Sequence, residues 1–356
     1  VQLRRDGGYR ARLEGVKAEP LVLEDTLLAA MPVGVRRALQ GMELKDPVRL
    51  AGNLTVDSTG EGRGNWPMME WDGTLKLNGA RLVAGAETKD VTGEVVCSGK
   101  FNGTGIEQAR GNVSLERAAI FSQPVGPMRA RFEMKADTPE ILRLRDIQGS
   151  LYSGVVGGQG RVHLAARPRF ELDLRASQVD LAAAARANGI AGDLEGLAYA
   201  WLHLSGEAGD PGSFKGEGRL DIPRGRLYEL PVFLDLMKAG GLRVPDRTAF
   251  EEARAEVVFE GHQVRVKRLD LLGNAFSLRG TGTMHMETQE TNLDFHVDLA
   301  RLNQVLPPVI NEIPKAVSDQ LLAIEVRGRP GQLRFEKQFL PPISSPIRKM
   351  VGSSGE

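Results

Sequence analysis

The chain has 356 residues, 46 basic and 46 acidic side chains, and only 5% aromatic residues. A net charge of zero argues against the basic face that a nucleic-acid-binding protein needs to neutralise phosphates, so no nucleic-acid partner is expected. A single cysteine, Cys97, excludes an intrachain disulfide and any multi-cysteine metal cluster.

Residues 1–47 are predicted to form N-terminal strands followed by an amphipathic helix. In the segment LEDTLLAAMPVGVRRALQG (23–41), apolar residues recur at helical spacing, acidic residues lie at the start and arginines lie toward the end. These charges suit the helix dipole. Pro32 predicts a break or kink in this helix.

From residue 48 to 175, short runs that alternate apolar and polar residues follow one another, as in the strands of an antiparallel sheet. One pattern recurs: a glycine, apolar residues at +2 and +4, a small residue at +7 and an apolar residue at +9. It begins at Gly73, Gly111 and Gly218. A second half-module follows the last two occurrences, since ILRLRDIQGSLYSGVVGGQGRVHL (141–164) aligns without gaps with QVRVKRLDLLGNAFSLRGTGTMHM (263–286). We therefore predict at least two copies of one β-module, the first over 48–175 and the second over 193–300.

The regions between and after the two copies are predicted to contain short helices. A linker over 176–192 includes the segment VDLAAAARANG, which favours a helix. In the second copy, four apolar residues spaced i, i+3, i+4, i+7 precede two glycines and predict an inserted helix over 230–241. The last region, 301–356, combines an apolar helical stripe broken by prolines, two strands and a tail.

The sequence contains no H-x-H, H-E-x-x-H or G-x-S-x-G motif, the patterns typical of metal sites and nucleophilic serines. The glycine-rich run GVVGGQG (154–160) leads into another strand, whereas a phosphate cradle needs a helix N-terminus at that point. The histidines are each isolated within or beside an alternating run: His163, His203, His262, His285 and His296. No catalytic residue, cofactor or metal site is therefore predicted.

The main functional signal is the apolar side of the alternating strands. Because the strands are many and the helices few and short, little is available to cover a long sheet. An open groove for acyl chains therefore competes with an ordinary closed core as the interpretation of this face. The residues expected to line the groove are Val113, Leu115, Leu142, Leu144, Ile147, Val162, Leu164, Leu220, Ile222, Val257, Phe259, Val264, Val266, Leu269, Leu271, Phe276, Leu278, Met284 and Met286. The helix expected to cap it carries Leu230, Phe233, Leu234 and Met237.

Several segments resemble a known family. The segment GEGRLDIPRGRLYELPVFLDLMKAGGL, followed by FEEARAEVVFEGHQVRVKRLDLLGNAFSLRGTGTMHM, resembles the C-terminal region of AsmA-like proteins of double-membraned bacteria. EDTLLAAMPVGVRRALQG and IEVRGRPGQLRFEKQFLP are similar to flanking parts of the same group. The resemblance implies a long bent sheet with an apolar concave groove, a role in moving phospholipid between membranes or in envelope homeostasis, and a periplasmic location. It also implies a membrane anchor outside this chain and partners in the membrane or envelope.

The sequence thus predicts a mainly β protein in which repeated antiparallel meander modules form a long, strongly curved sheet. This sheet is expected to have an apolar concave face and a few short amphipathic helices. The predicted function is the shielding of phospholipid or other acyl lipids in the groove. Two alternatives stay open: a structural or assembly-assisting envelope protein with a closed core and no lipid, and a secreted β-rich enzyme acting on polysaccharide.

Overall fold

The fold was analysed in a computed structural model. The structure describes residues 1–3, 8–22, 26, 36, 48–58, 66–84, 86–120, 123–165, 167–189, 194–227, 251–273, 277–298, 322–329 and 332–339. Several predicted features lie outside the described residues. They are the inserted helix at 230–241, the apolar stripe at 302–313, Phe276 and most of the N-terminal helix.

The described residues form twenty strands and one helix. The first ten strands are β1 (Gln2–Leu3), β2 (Tyr9–Leu21), β3 (Val48–Asp57), β4 (Met68–Ala84), β5 (Ala86–Phe101), β6 (Ile106–Ile120), β7 (Gln123–Val125), β8 (Met128–Lys135), β9 (Thr138–Leu151) and β10 (Gly154–His163). They are followed by β11 (Arg169–Asp180), helix α1 (Leu181–Ala187), β12 (Glu195–Glu207), β13 (Asp210–Ile222), β14 (Gly225–Arg226), β15 (Glu252–Glu260), β16 (Gln263–Leu272), β17 (Ser277–His285), β18 (Thr291–Asp298), β19 (Leu322–Gly328) and β20 (Arg334–Phe339).

All of these described strands belong to one antiparallel sheet. Strands that follow one another in the chain are neighbours from β2 to β20, apart from the short β7 and β14, which pair with β6 and β12. The sheet is open and curved, which confirms the predicted mainly β fold built from one long antiparallel sheet. The alternating runs and glycine-rich turns account for this meander, because antiparallel neighbours need only short connections.

Helix α1 confirms the short helix predicted within 176–192. The Asp180 carboxylate caps its start by accepting a hydrogen bond from the Ala183 N–H at 3.0 Å. Asn188 ends it, and its backbone N–H donates to carbonyls of the last turn. Because β11 and β12 pair directly on either side of this helix, the sheet continues without a break across the predicted linker.

The strand registers place apolar and polar residues on opposite faces of the sheet. Directly paired residues in antiparallel strands point to the same face. We call the face that carries Leu172 the apolar face and the opposite one the polar face. One unbroken row of paired residues on the apolar face crosses the sheet from β2 to β19: Val16, Gly52, Gly73, Cys97, Gly111, Phe132, Leu144, Gly160, Leu172, Leu204, Gly216, Phe259, Val264, Met284, Thr291 and Gly328.

Side chains near both ends of the strands form the buried parts of the apolar face. At one end, a cluster is built on Phe170, Leu204 and Phe214, and the rings of Phe170 and Phe214 meet edge to face at a centroid distance of 5.5 Å. At the other end, β3 to β6 contribute a cluster that includes Leu77 and Leu115. We refer to the residues of the apolar face that are buried near the strand ends as the buried border.

Candidate functional site

A second row of paired residues crosses the middle of the apolar face. On most strands it lies two residues away from the unbroken row. We call it the central row. Its registers are continuous from β3 to β8 and from β9 to β18, with a β-bulge between Ala130 and Ile147. The central row consists of Leu50, Leu75, Val95, Val113, Ala130, Ile147, Gly158, Leu174, Leu202, Gly218, Val257, Val266, Gly282 and Leu293.

The central row and the buried border differ in exposure. Within the central row, the Leu, Ile and Val side chains are all half-buried. By contrast, Leu271 and Leu278 in the buried border are each 1% exposed and Phe101 is 2% exposed. The apolar face therefore has a middle band of aliphatic side chains that keep contact with solvent, and its fully buried residues lie mostly nearer the strand ends. The flanking rows are mixed, since Leu220 beside the band is 39% exposed.

Aromatic rings on the apolar face lie over glycines of the neighbouring strands, and we call the surface that these rings share with the aliphatic side chains the floor of this face. A Cβ atom added at Gly111 would lie 2.6 Å from Cζ of Phe132, and one added at Gly280 would lie 2.6 Å from Cε1 of Phe295. Each ring thus lies across a glycine of the neighbouring strand and occupies the volume that a side chain would need.

Most of the predicted groove-lining residues lie on this one face. Val113, Ile147, Val257 and Val266 belong to the central row. The residues that flank it on the same face are Leu115, Leu142, Leu144, Val162, Leu220, Ile222, Phe259, Val264, Leu269, Leu271, Leu278 and Met284. Five of these, Leu115, Ile222, Val264, Leu271 and Leu278, are buried border residues.

The remaining predicted lining and capping residues lie outside the strands. Leu164 and Met286 follow the ends of β10 and β17 and are half-buried, and Met286 packs against the cluster of Phe170, Leu204 and Phe214. Phe276 and the four predicted cap residues, Leu230, Phe233, Leu234 and Met237, lie outside the described residues.

The polar face is held by ion pairs between neighbouring strands. Lys100 lies 2.8 Å from Glu70, and Arg161 lies 2.8 Å from Glu171. Shallow depressions lined by described residues lie mainly on this face, between such charged side chains. Their linings combine charged side chains with apolar atoms, and the depression beside Phe170 is lined mainly by apolar atoms.

Cys97 lies on the apolar face between Gly73 and Gly111. Burial raises the pKa of its thiol, and a hydrogen bond with Trp71 opposes this change to a smaller extent. Because the thiolate is the reactive form of cysteine, this environment disfavours nucleophilic chemistry at Cys97. The side chain serves as a small apolar element of the floor.

The histidines are less isolated than the sequence indicated. The rings of His262 and His285 stack with a centroid distance of 5.7 Å and an interplanar angle of 6°. His203 Nδ1 lies 2.7 Å from the Asp173 carboxylate on the neighbouring strand. The expectation of isolation was wrong because strand pairing joins residues that are distant in sequence. Only the strand register would have identified both pairs.

The described residues contain no group of three or more His, Cys, Asp or Glu side chains placed to hold a metal ion. Among the same residues, no helix combines the length and the hydropathy that crossing a bilayer requires. Comparison of the chain with protein-family models, with curated proteins and with solved structures gave no match.

Proposed function

We propose that this chain binds lipid acyl chains along the central row and shields them from water, as a periplasmic lipid-handling protein of the AsmA-like type. The observation that supports the proposal is the band of half-buried aliphatic side chains that crosses the sheet on one face. Phospholipid is the proposed ligand, because a surface built from aliphatic side chains recognises hydrocarbon and leaves the headgroup in water. Membrane or envelope proteins are the proposed partners.

The free energy of transferring hydrocarbon out of water explains how such a surface would carry lipid. Each methylene group gains about 0.8 kcal/mol on leaving water, so a chain of about sixteen carbons gains roughly 13 kcal/mol. An acyl chain that crossed water without a protein would lose this transfer free energy. Along the central row, each step exchanges one aliphatic contact for another, so the lipid moves without paying that cost and without any catalytic group.

The central row is long enough for more than one acyl chain. Neighbouring strands lie about 4.8 Å apart, so a row that crosses from β3 to β18 is on the order of 60 Å long. An acyl chain in a bilayer spans about half of a hydrocarbon core that is roughly 30 Å thick. One chain therefore fills only part of the row, and several lipids are expected to lie along it.

The proposal includes two finer features of the fold. The first is that the apolar face is the concave one, so that the sheet surrounds its ligand. The second is that the sheet consists of repeated modules. Two β-bulges at equivalent positions support recurrence of the glycine pattern within the first copy: the register of β4 shifts between Leu77 and Ala80, and that of β6 shifts between Leu115 and Arg117. In both strands the shift falls between +4 and +7 of the recurring glycine pattern.

A pair of adjacent residues on opposite faces provides the test. Val257 belongs to the central row, and Val258 lies on the polar face between Glu217 and Arg265; both are half-buried. The wild type and the variants Val257→Asp and Val258→Asp would be expressed in a double-membraned bacterium and purified without detergent. Native mass spectrometry would then measure bound phospholipid, and circular dichroism would measure folding.

We expect the wild type and Val258→Asp to carry phospholipid and Val257→Asp to lose it while staying folded, because a carboxylate in the band disfavours hydrocarbon contact. If Val257→Asp unfolds the protein and the folded wild type carries no lipid, the apolar face is a closed core. The structural or assembly-assisting role would then replace this proposal.

A further inference from the structure

Strand β2 leaves one side of its backbone without a partner strand over most of its length. β3 pairs with its inner side from Arg10 to Leu21, whereas on the outer side β1 reaches only Tyr9 and Arg10. Beyond Arg10, no strand that the structure describes pairs with this outer side. Most residues of β2 are exposed. An open strand edge of this kind is a template for a strand from another chain.

The apolar face extends as far as this open edge. Leu13, Val16 and Ala18 pair with apolar-face residues of β3, and Leu13 and Val16 are 46% and 38% exposed. A β-bulge between Leu13 and Val16 contains Gly15, which has a φ of 65°. A Cβ atom added at Gly15 would meet no atom within 4 Å. The edge therefore presents uncovered aliphatic side chains beside an open space at Gly15.

Charges of alternating sign follow one another on the polar face of the same segment. In chain order they are Arg12, Glu14, Lys17 and Glu19. The registers place Arg12 and Lys17 on the polar face, and Glu14 lies 3.0 Å from Arg12. Glu19 lies 3.6 Å from Arg49, which is on the same face. Because the signs run plus, minus, plus, minus, the same segment read backwards presents the opposite sign at each of these positions.

We propose that β2 pairs antiparallel with β2 of a second copy of this chain, so that two copies form one continuous sheet around a two-fold axis. Paired residues then share a face at every position from 12 to 19, because the bulge at Gly15 offsets the alternation by one residue. The pairs, each formed twice by symmetry, are Arg12 with Glu19, Leu13 with Ala18, Glu14 with Lys17, and Gly15 with Val16. The apolar faces of both copies lie on the same side of this sheet. The proposal does not rest on the binding of acyl chains.

The neighbouring registers between the two copies fit less well. A shift of one residue places polar side chains opposite apolar ones. A shift of two residues in one direction places Arg12 opposite Lys17. The same shift in the other direction places Glu14 opposite Glu19, and like charges directly opposite each other disfavour both arrangements. Pro20 has no N–H group and ends the ladder. The match of this segment with itself, in charge and in face, favours a second copy over an unrelated strand.

The association state of the whole chain tests this proposal. Sedimentation equilibrium measures the dissociation constant of the dimer, and circular dichroism measures folding. Lys17→Glu makes both symmetry-related pairs with Glu14 repulsive, whereas the double variant Glu14→Lys, Lys17→Glu exchanges the signs and restores the attraction. The matched control is Lys215→Glu, because Lys215 is an exposed lysine of the polar face on the interior strand β13.

We expect the wild type and Lys215→Glu to dimerise with equal affinity and Lys17→Glu to dimerise at least about fivefold more weakly. The double variant should recover most of this loss. Raised salt should reduce the difference between the wild type and Lys17→Glu, because exposed charges are screened. A wild type that stays monomeric at every concentration would overturn the proposal. So would a dimer that Lys17→Glu leaves unchanged, or a double variant as weak as Lys17→Glu, because the two copies would then not meet in this register.

Discussion

The central row and the buried border lie on the same face of the same strands, yet they differ in what covers them. Leu174 in the central row is half-buried, whereas Leu278 in the buried border is 1% exposed. Both are leucines within an alternating strand. This difference shows that two properties act separately. The alternation of a strand places a residue on one face, whereas the position of the residue along the strand decides whether its side chain is covered. The proposed function depends on the second property.

The largest expected effect comes from truncation of the buried border. Leu278→Ala should lower the free energy of unfolding by about 2–5 kcal/mol, because it leaves a cavity in packed surroundings. Leu174→Ala should cost less than about 2 kcal/mol, since a half-buried side chain already contacts water. Urea unfolding monitored by circular dichroism measures both values. Equal losses would show that the central row is packed as tightly as the border.

A smaller effect is expected where an aromatic ring lies over a glycine in the floor. Gly111→Ala should destabilise the protein by roughly 1–3 kcal/mol, because its Cβ would meet the ring of Phe132 and the carbonyl of Val96. Gly105→Ala is the matched control, since a Cβ there meets no atom within 4 Å. The difference in urea midpoint between the two variants measures this effect. Similar midpoints would contradict the close approach of strand and ring.

A third prediction concerns helix α1, which connects β11 to β12. Asp180→Ala should cost about 1 kcal/mol, because the N–H of Ala183 loses its acceptor at the helix start. Asp180→Asn should cost much less, since its amide oxygen still accepts this bond. Thermal unfolding of the wild type, Asp180→Ala and Asp180→Asn measures the two losses of stability. If both variants lose the same stability, capping is not the cause.

The smallest effect is expected on the polar face and depends on pH. The hydrogen bond from Arg219 lowers the pKa of Asp221, with a further contribution from Arg254. The lowered pKa stabilises the folded protein at pH values above the pKa of the unfolded carboxyl, which is about 4. This stabilisation is lost as the pH falls through the pKa of the folded carboxyl. The side chain is 31% exposed, so solvent screening limits the gain to less than about 1 kcal/mol.

Asp221→Asn isolates this contribution. The stability difference between the wild type and Asp221→Asn, measured by urea unfolding from pH 7 to pH 3, should shrink toward acid. A difference that stays constant over this range would show that the carboxylate charge does not act through Arg219.

The sequence determined the mainly β fold class, because this class follows from the alternation of apolar and polar residues within single strands. Alternation also explains why Val264 and Val266 share the apolar face, whereas Val266 and Leu269, three positions apart, share it because a β-bulge lies between them. It could not determine the depth of burial, since Leu271 has the same local pattern as Leu269 but lies nearer the strand end and is buried. The stack of His262 on His285 also escaped prediction, because it depends on pairing between β16 and β17.

The central claim is that acyl chains lie along the central row, and photocrosslinking tests it most directly. Cells that express the chain would be supplied with a fatty acid carrying a diazirine on its acyl chain. The protein would be purified in monodisperse form, irradiated, digested and mapped by mass spectrometry. We predict adducts on apolar-face residues of both halves of the sheet, such as Val113, Leu174 and Val257. Adducts confined to the polar face, or none in a protein that carries the probe, would contradict the claim.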